Sequence, residues 1–397
     1  MPFALEHLTV LDLTQVMAGP YCCQLLGDLG ADVIKVEPLG RGDATRQATG
    51  HRLPGGESAA FLAVNRNKRG IALDLKTEEG RTVFHRLAAT ADVVVESFRP
   101  GVAARLGVDY ASLRELNPRL VYASISGFGQ TGPYAQRPGY DLIAQAMSGI
   151  MSVTGDANGE PVKCGVPVAD LSAGLFCVIG ILSACLSREV TGVGQAIDTS
   201  LYDAALALSI WETSELWATG AAPGRLGSAH RVNAPYQALR TRDGYLTIGA
   251  NNDRLWSRLC EVLGRQDLLA DQRFRTNTDR VERRDELAAE LSVTLRRKDT
   301  GVWVDELLDA GVPAGPIRDY AESCADPHTL AREMVLELEH PREGTVRSLG
   351  IPVKLGATPG SVRRVAPALG EHTDEVLAAA GCSAEEIEAL RSTGAVG

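Results

Sequence analysis

The chain has 397 residues, 45 % hydrophobic and 23 % charged, the balance of a globular protein with two or three domains at roughly 100–200 residues each. A net charge of −10 excludes a broad nucleic-acid footprint, which needs clustered Lys and Arg. It leaves room for a local pocket that binds one small anion.

In chain order, LTVLDL (8–13) has the short apolar run of a strand and leads through a Gly19-Pro20 turn to helical YCCQLLGDLG. Three more strand signals follow: ADVIKVE (31–37), GIALDL (70–75) and ADVVVESF (91–98). A helix after the third strand shows Val83, Phe84, Leu87 and Ala88 on one face. Short helices near 102–106 and 110–116 lead to a fifth strand, LVYASIS (120–126). Apolar strands separated by helices predict a parallel sheet covered on both faces.

From Asp141 to Leu186 the pattern gives a helix, the loop GDANGEPV and a long apolar helix. Strand AIDTSL precedes a long helix over about 202–218, and ATGAAPGRLGSAH reads as a linker. YQALRTRDGYLTIGA is a hairpin turning at Asp243-Gly244. Helices rich in Arg and Glu then run to Leu308, a smaller domain, and GVPAGPIRD resumes turn chemistry. Two helices close the chain, the second opening on a capping box of Ser383 and Glu386.

The eight cysteines form no CxxC pair, and no His stands at zinc-finger spacing, so no metal site is expected. Cys177 and Cys185 lie in apolar runs and read as reduced, buried hydrophobes. MPFALEHLTVLDL lacks the pattern of a signal peptide. The longest apolar run, Ala173–Leu186, contains Ser183 and is too short to span a bilayer. A cytoplasmic protein with no membrane or nucleic-acid partner is the expectation.

GFGQTG at 127–132 fits the dinucleotide motif GxGxxG, but that reading needs a helix starting inside the motif, and Pro138 and Gly139 interrupt one. Its glycines fit better a tight turn beside a ligand. No GxSxG is present, which sets serine-hydrolase chemistry aside. Asp170, in GVPVADLSAGLF, has two readings: a helix N-cap, or an ionised and partly desolvated carboxylate able to attack an acyl carbonyl. Arg66, Lys68, Arg69 and Lys76 form either a solvated turn or a cationic lip for phosphates, and Arg99 and Arg105 follow the next strand in the same way.

These residues resemble the class III CoA-transferases. The matching stretches include VLDLTQVMAGPYCCQLLGDLGADVIKVEPLGRGDATR, NRNKRGIALDLK, DVVVESFRPGVAARLGVDY, RPGYDLIAQAMSGIMSVTG, GVPVADLSAG and LGEHTDEVL, covering almost the whole chain in order. The likeness is greatest to the dicarboxylate-using members, such as succinate–hydroxymethylglutarate CoA-transferase. It implies a Rossmann-like α/β large domain with a parallel sheet, a smaller α+β domain, and a homodimer of interlocked chains. The large domain would take residues 1–217 and 319–397, with a linker at 218–225 and the small domain at 226–318.

The resemblance places the catalytic aspartate on Asp170 and CoA contacts on Val16, Ala18, Leu73, Lys76, Phe98, Arg105 and the segment Arg137–Asp141, which contains Tyr140. Met17 and Ser97 stand where formyl-CoA transferase has amide side chains. Pro38 replaces a basic residue, whose charge Arg41 could supply; Arg99 completes the expected CoA set. The glycine-only loop of formyl-CoA transferase is not found after Leu226, so GRLGSAHRVN must shape the acid pocket. There Arg225, His230 and Arg231 either hold a second carboxylate or belong to a solvated loop.

The expected substrates are acyl-CoA, with succinyl-CoA as donor, and small dicarboxylic acids, with no permanently bound cofactor. The racemase relatives carry His where this chain has Tyr140, a poor base at neutral pH, so transferase is favoured over α-methylacyl-CoA racemase-like chemistry. A non-catalytic CoA-binding protein is the third reading.

Overall fold

The computed structural model describes residues 2–47 and 50–397. The chain divides into two units: residues 1–150, 163–213 and 327–397 form the first, and residues 151–162 and 214–326 the second. Segment 151–162, assigned by sequence to the large domain, thus belongs to the second unit.

Six strands build the main sheet of the first unit: β1 (Thr9–Asp12), β2 (Asp32–Glu37), β3 (Lys68–Ala72), β4 (Val93–Glu96), β5 (Val121–Ser126) and β6 (Ala196–Ser200). All pair in parallel, in the order β3-β2-β1-β4-β5-β6. Alternate residues of each strand enter opposite layers, as a pleated strand requires. Val10, Val33, Val93, Val95 and Val121 pack with Cys22, Cys23 and Leu26 of helix Ala18–Asp28 and with Cys177 and Ile181 of helix Val168–Thr191. Leu11, Ile34, Ile71 and Val94 pack on the other side with Val83, Phe84 and Leu87 of helix Glu78–Ala88 and with Val376 and Leu377 from the end of the chain. The sheet is therefore covered on both faces, and its central strands are mostly apolar for that reason.

Helix Val168–Thr191 is longer than the apolar run seen in sequence. With 24 residues it has the length and composition to cross a membrane, which corrects the sequence estimate. Its Ala169, Ala173, Cys177, Ile181 and Ala184 side is buried in the core of the first unit. Its opposite side leaves Leu175, Phe176, Ile179, Leu186 and Val190 exposed.

In the second unit, β7 (Tyr236–Arg240) and β8 (Tyr245–Gly249) form the expected hairpin. A third strand, β9 (Ala314–Pro316), joins β8 where sequence gave only turn chemistry. Trp256, Leu259, Leu287, Leu291, Trp303 and Leu307 from the surrounding helices cover this sheet. The helix expected over 202–218 is two helices, Leu201–Ala207 and Ile210–Thr219. A second hairpin, β10 (Val335–His340) with β11 (Gly344–Leu349), lies in the returning segment of the first unit. The C-terminus returns to the sheet, where the amide of Gly397 donates to the carbonyl of Ala72 at 3.2 Å.

Candidate active site

The strand order reverses between β1 and β4, and open α/β sheets bind ligands beyond the carboxyl ends of strands at such a reversal. A cleft of about 220 Å³ opens there, lined by Gln15–Gly19 after β1, Ser97–Pro100 after β4, Ile125–Gly127 at the end of β5, Arg137–Tyr140, Leu201 and Asp170. Backbone contacts fix its walls. A Cβ on Gly139 would lie 2.7 Å from Cα of Gly127, and one on Gly127 would lie 2.8 Å from Cα of Gly139, so the two segments touch with no side chain between them. A Cβ on Gly174 would lie 2.8 Å from the carbonyl oxygen of Ala18, so the helix bearing Asp170 also packs closely on the β1 loop.

Asp170 occupies the third position of helix Val168–Thr191. The N-cap is Pro167, with no side-chain cap, which corrects the N-cap reading of Asp170. Capping comes from a distant residue: Oδ1 of Asp141 accepts the amide hydrogens of Ala169 at 2.9 Å and Asp170 at 3.4 Å. Oδ2 of Asp141 accepts from Nε2 of the fully buried Gln145 at 2.6 Å, and Oε1 of Gln145 accepts the amide hydrogen of Cys164 at 2.8 Å. Asp141 is thus committed to the helix start and does not line the cleft. The Asp170 carboxyl, half-buried in the cleft, is pushed up to about 6 by burial and then by the neighbouring Asp141 charge.

Of the other expected contacts, Val16, Ala18, Ser97, Phe98, Arg99, Arg137 and Tyr140 line the cleft. Arg137 stacks on Tyr134 with its guanidinium 3.7 Å from the ring centre. Arg41, Lys76 and Arg105 are exposed outside the lining. Leu73 is buried in the core, so its side chain is unavailable to a ligand. Among the residues read as a cationic lip, Arg66, Lys68 and Arg69 are structural. Lys68 is fully buried on Asp12 at 2.9 Å, Arg66 pairs with Asp28 at 2.7 Å, and Arg69 pairs with Asp32 and Glu375. Lys68 and Arg69 also begin β3, the end of the strand remote from the cleft.

In GFGQTG, Oγ of Ser126 accepts the amide hydrogen of Gly129 at 2.9 Å and Oδ2 of Asp198 accepts that of Gln130 at 2.8 Å. No helix starts within the motif; the next begins at Asp141. In the second unit, Arg225 donates to the carbonyls of Asp156 and Gly159, and Arg231 to Glu215 and the carbonyl of Gly224. The His230 ring meets Tyr236 edge-on, centroids 5.0 Å apart.

Sequence reasoning missed a buried polar cluster and read its one named member, Lys68, as part of a cationic lip. Asp12, Lys35, Asp43 and Lys68 are all fully buried and joined by ion pairs, Lys35 to Asp43 at 3.0 Å among them. Glu96, which ends β4, accepts the Phe98 amide hydrogen at 2.6 Å; burial pushes its carboxyl up to about 7 against the Ser124 and Phe98 hydrogen bonds. The available signal was a charge inside an apolar strand, as in DVIKVE, since such residues stay only when paired.

A parallel sheet with a carboxylate in the cleft at its crossover is the arrangement in which open α/β proteins bind ligands. The chain belongs to CoA-transferase family III, whose model matches residues 5–373. An "Acyl-CoA transferase" of Fusarium pseudograminearum is 42 % identical, over 99 % of this chain and 88 % of the relative. Human "Succinyl-CoA:glutarate CoA-transferase" is 39 % identical, over 94 % of this chain and 85 % of the relative. A crystal structure of a CAIB/BAIF family protein from Brucella suis superposes with a TM-score of 0.86 at 41 % identity, covering 96 % of this chain and all of the other.

Proposed function

We propose that this enzyme moves CoA from an acyl-CoA, succinyl-CoA first among donors, to a small dicarboxylic acid through covalent intermediates on Asp170. The observation that carries the reading is the half-buried Asp170 carboxyl in the cleft at the strand crossover. The human relative's name, which pairs succinyl-CoA with glutarate, supports the choice of acids.

An oxygen of Asp170 attacks the thioester carbonyl and expels CoA thiolate, leaving a mixed anhydride. The thiolate attacks the aspartyl carbonyl, releasing the donor acid and forming an aspartyl-CoA thioester. The acceptor carboxylate attacks that carbonyl and expels the thiolate again. The thiolate then takes the acceptor's acyl group, and Asp170 is regenerated as carboxylate. The exchange is split into steps with good leaving groups. CoA would take the cleft lined by Val16, Ala18, Ser97, Phe98, Arg137 and Tyr140, with the exposed cations Lys76, Arg99, Arg105 and Arg41 as the proposed partners of its phosphates. Arg225, His230 and Arg231 are the proposed contacts for the acid's second carboxylate, and the two arginines also hold their own loops through backbone carbonyls. The working unit is a cytoplasmic homodimer, with interlocked chains.

The test is incubation with acyl-CoA donors and a panel of acids, followed by trapping of the aspartyl thioester with hydroxylamine or borohydride. Label on Asp170, and loss of exchange by at least about a thousandfold in Asp170→Ala, are the expected results. Wild-type exchange by Asp170→Ala would end the proposal. Deuterium wash-in at the α-carbon without an acceptor acid would move the enzyme to racemase chemistry.

A further inference from the structure

The loop after β1 contains a backbone outlier. Val16 has φ of 73°, in the left-handed region that a β-branched residue avoids, yet its side chain lies 44 % exposed in the cleft. Strain of this kind persists only where the surroundings over-determine it. Four side chains do so here. Oδ1 of Asp12 accepts the amide hydrogen of Thr14 at 2.9 Å, and Oγ of Ser97 accepts that of Gln15 at 3.1 Å. Both carboxylate oxygens of Asp43 face the Val16 amide, at 3.2 and 3.3 Å. Nζ of Lys35 donates to the carbonyl of Thr14 and to Oδ2 of Asp43, each at 3.0 Å.

Asp43 is itself fixed. Its Oδ1 accepts from the amide of Thr45 at 2.9 Å and from the Thr45 hydroxyl at 2.8 Å, and its own amide donates to Glu37 at 2.7 Å. Burial opposes its charge, but Lys35 and the Thr45 hydrogen bonds hold its carboxyl below the usual range. Asp43 and Lys35 are fully buried, and neither lines the cleft. They can reach a ligand only through the loop they hold.

We propose that Asp43, anchored by Lys35, is a positioning residue: it locks Val16 in the left-handed conformation and so sets the wall Val16–Gly19 against acyl-CoA. This rests on reading the cleft as the CoA-transferase site. Without the Asp43 carboxylate, Val16 relaxes to negative φ, which rotates its peptide planes and moves the start of helix Ala18–Asp28.

The test is a double-mutant cycle in the full chain. Glycine adopts positive φ without help, so Val16→Gly added to Asp43→Asn restores the loop if strain-holding is the role. The readouts are KM for succinyl-CoA, kcat, the Kd for free CoA by calorimetry, and thermal unfolding. In Asp43→Asn we expect KM and Kd to rise about tenfold with a smaller change in kcat, and at least half of that shift, on a logarithmic scale, to be recovered in the double variant. Wild-type KM and Kd in Asp43→Asn, or no recovery in a folded double variant, overturns the inference.

Should Asp43→Asn fail to fold, Thr45→Val keeps the charge balance and removes one bond to Asp43. A rise of about threefold in Kd, reversed by Val16→Gly, supports the inference, and an unchanged Kd overturns it. Because the Kd for CoA needs no turnover, the two readings fail separately. A wild-type protein that exchanges no thioester sinks the function, whereas normal exchange with an unaffected Asp43→Asn sinks only the role of Asp43.

Discussion

Asp141 and Asp170 are joined through the backbone: Oδ1 of Asp141 accepts the amide hydrogen of Asp170 at 3.4 Å, and that of Ala169 at 2.9 Å. One carboxylate therefore starts the helix that carries the other and places a like charge beside it. The cap fixes the position of Asp170, and the charge, together with burial, sets its readiness to ionise.

The pH dependence of exchange follows from that pair. In the proposed mechanism Asp170 attacks as the carboxylate, and burial with the Asp141 charge pushes its carboxyl up to about 6, so kcat/KM should fall as pH drops through about 6. Removing the Asp141 charge lowers the Asp170 value, so Asp141→Asn should move the acid limb to lower pH. Rate profiles from about pH 5 to about pH 8 check this, and an unmoved limb would show that burial alone sets the value.

Glu96 gives a stability prediction. Its folded-state carboxyl, at about 7, lies above the reference of 4.5, so the folded protein binds an extra proton between those values. Its contribution to stability is therefore greatest in acid and is lost as pH rises through about 7. Glu96→Gln keeps an acceptor for the Phe98 amide and removes the buried charge. Relative to wild type it should gain on the order of 3 kcal/mol at pH 8 and little near pH 4.5. Urea unfolding at the two pH values measures the difference, and a gain independent of pH would contradict the assignment.

The buried ion cluster should be intolerant of single losses. Nζ of Lys68 donates to Asp12, to the carbonyl of Pro20 and to Asn65, all at 2.8–2.9 Å and all out of water. Lys68→Met leaves Asp12 with Lys35 at 4.0 Å and should cost about 3–5 kcal/mol in chemical denaturation. A cost under about 1 kcal/mol would mean that water or a rearranged partner replaces the amine.

Gly139→Ala tests the wall between β5 and the Arg137–Tyr140 segment. The new Cβ would meet backbone 2.7 Å away, which no rotamer can relieve. A loss of about 1–3 kcal/mol in stability, with KM for acyl-CoA raised more than kcat is lowered, is expected. Unchanged kinetics would show that the segment does not form the binding surface.

Much of the sheet was legible because its central strands are covered on both faces: TVLD, DVIKVE, VVVE and VYASIS are mostly apolar, as such burial demands. The acid at position 170, set against an apolar helix, was visible for the same reason. What stayed hidden depends on partners far away in the chain. The cap of Asp170's helix comes from 28 residues upstream of Ala169, and the partner of Lys68 lies 56 residues away, so a polar loop looked like an exposed lip when it was internal structure. β9 was masked by the Gly and Pro it contains, which read locally as a turn and pair only because β8 offers an edge.

The contact between Gly127 and Gly139 limits how this enzyme can diversify. Main chain lies against main chain there, so that partition has a fixed thickness which exchanging side chains cannot tune. Variation within the cleft falls instead to its side-chain lining, Val16, Met17, Phe98 and Tyr140 among it. Libraries that reshape the cleft should leave the two glycines untouched and vary those four positions.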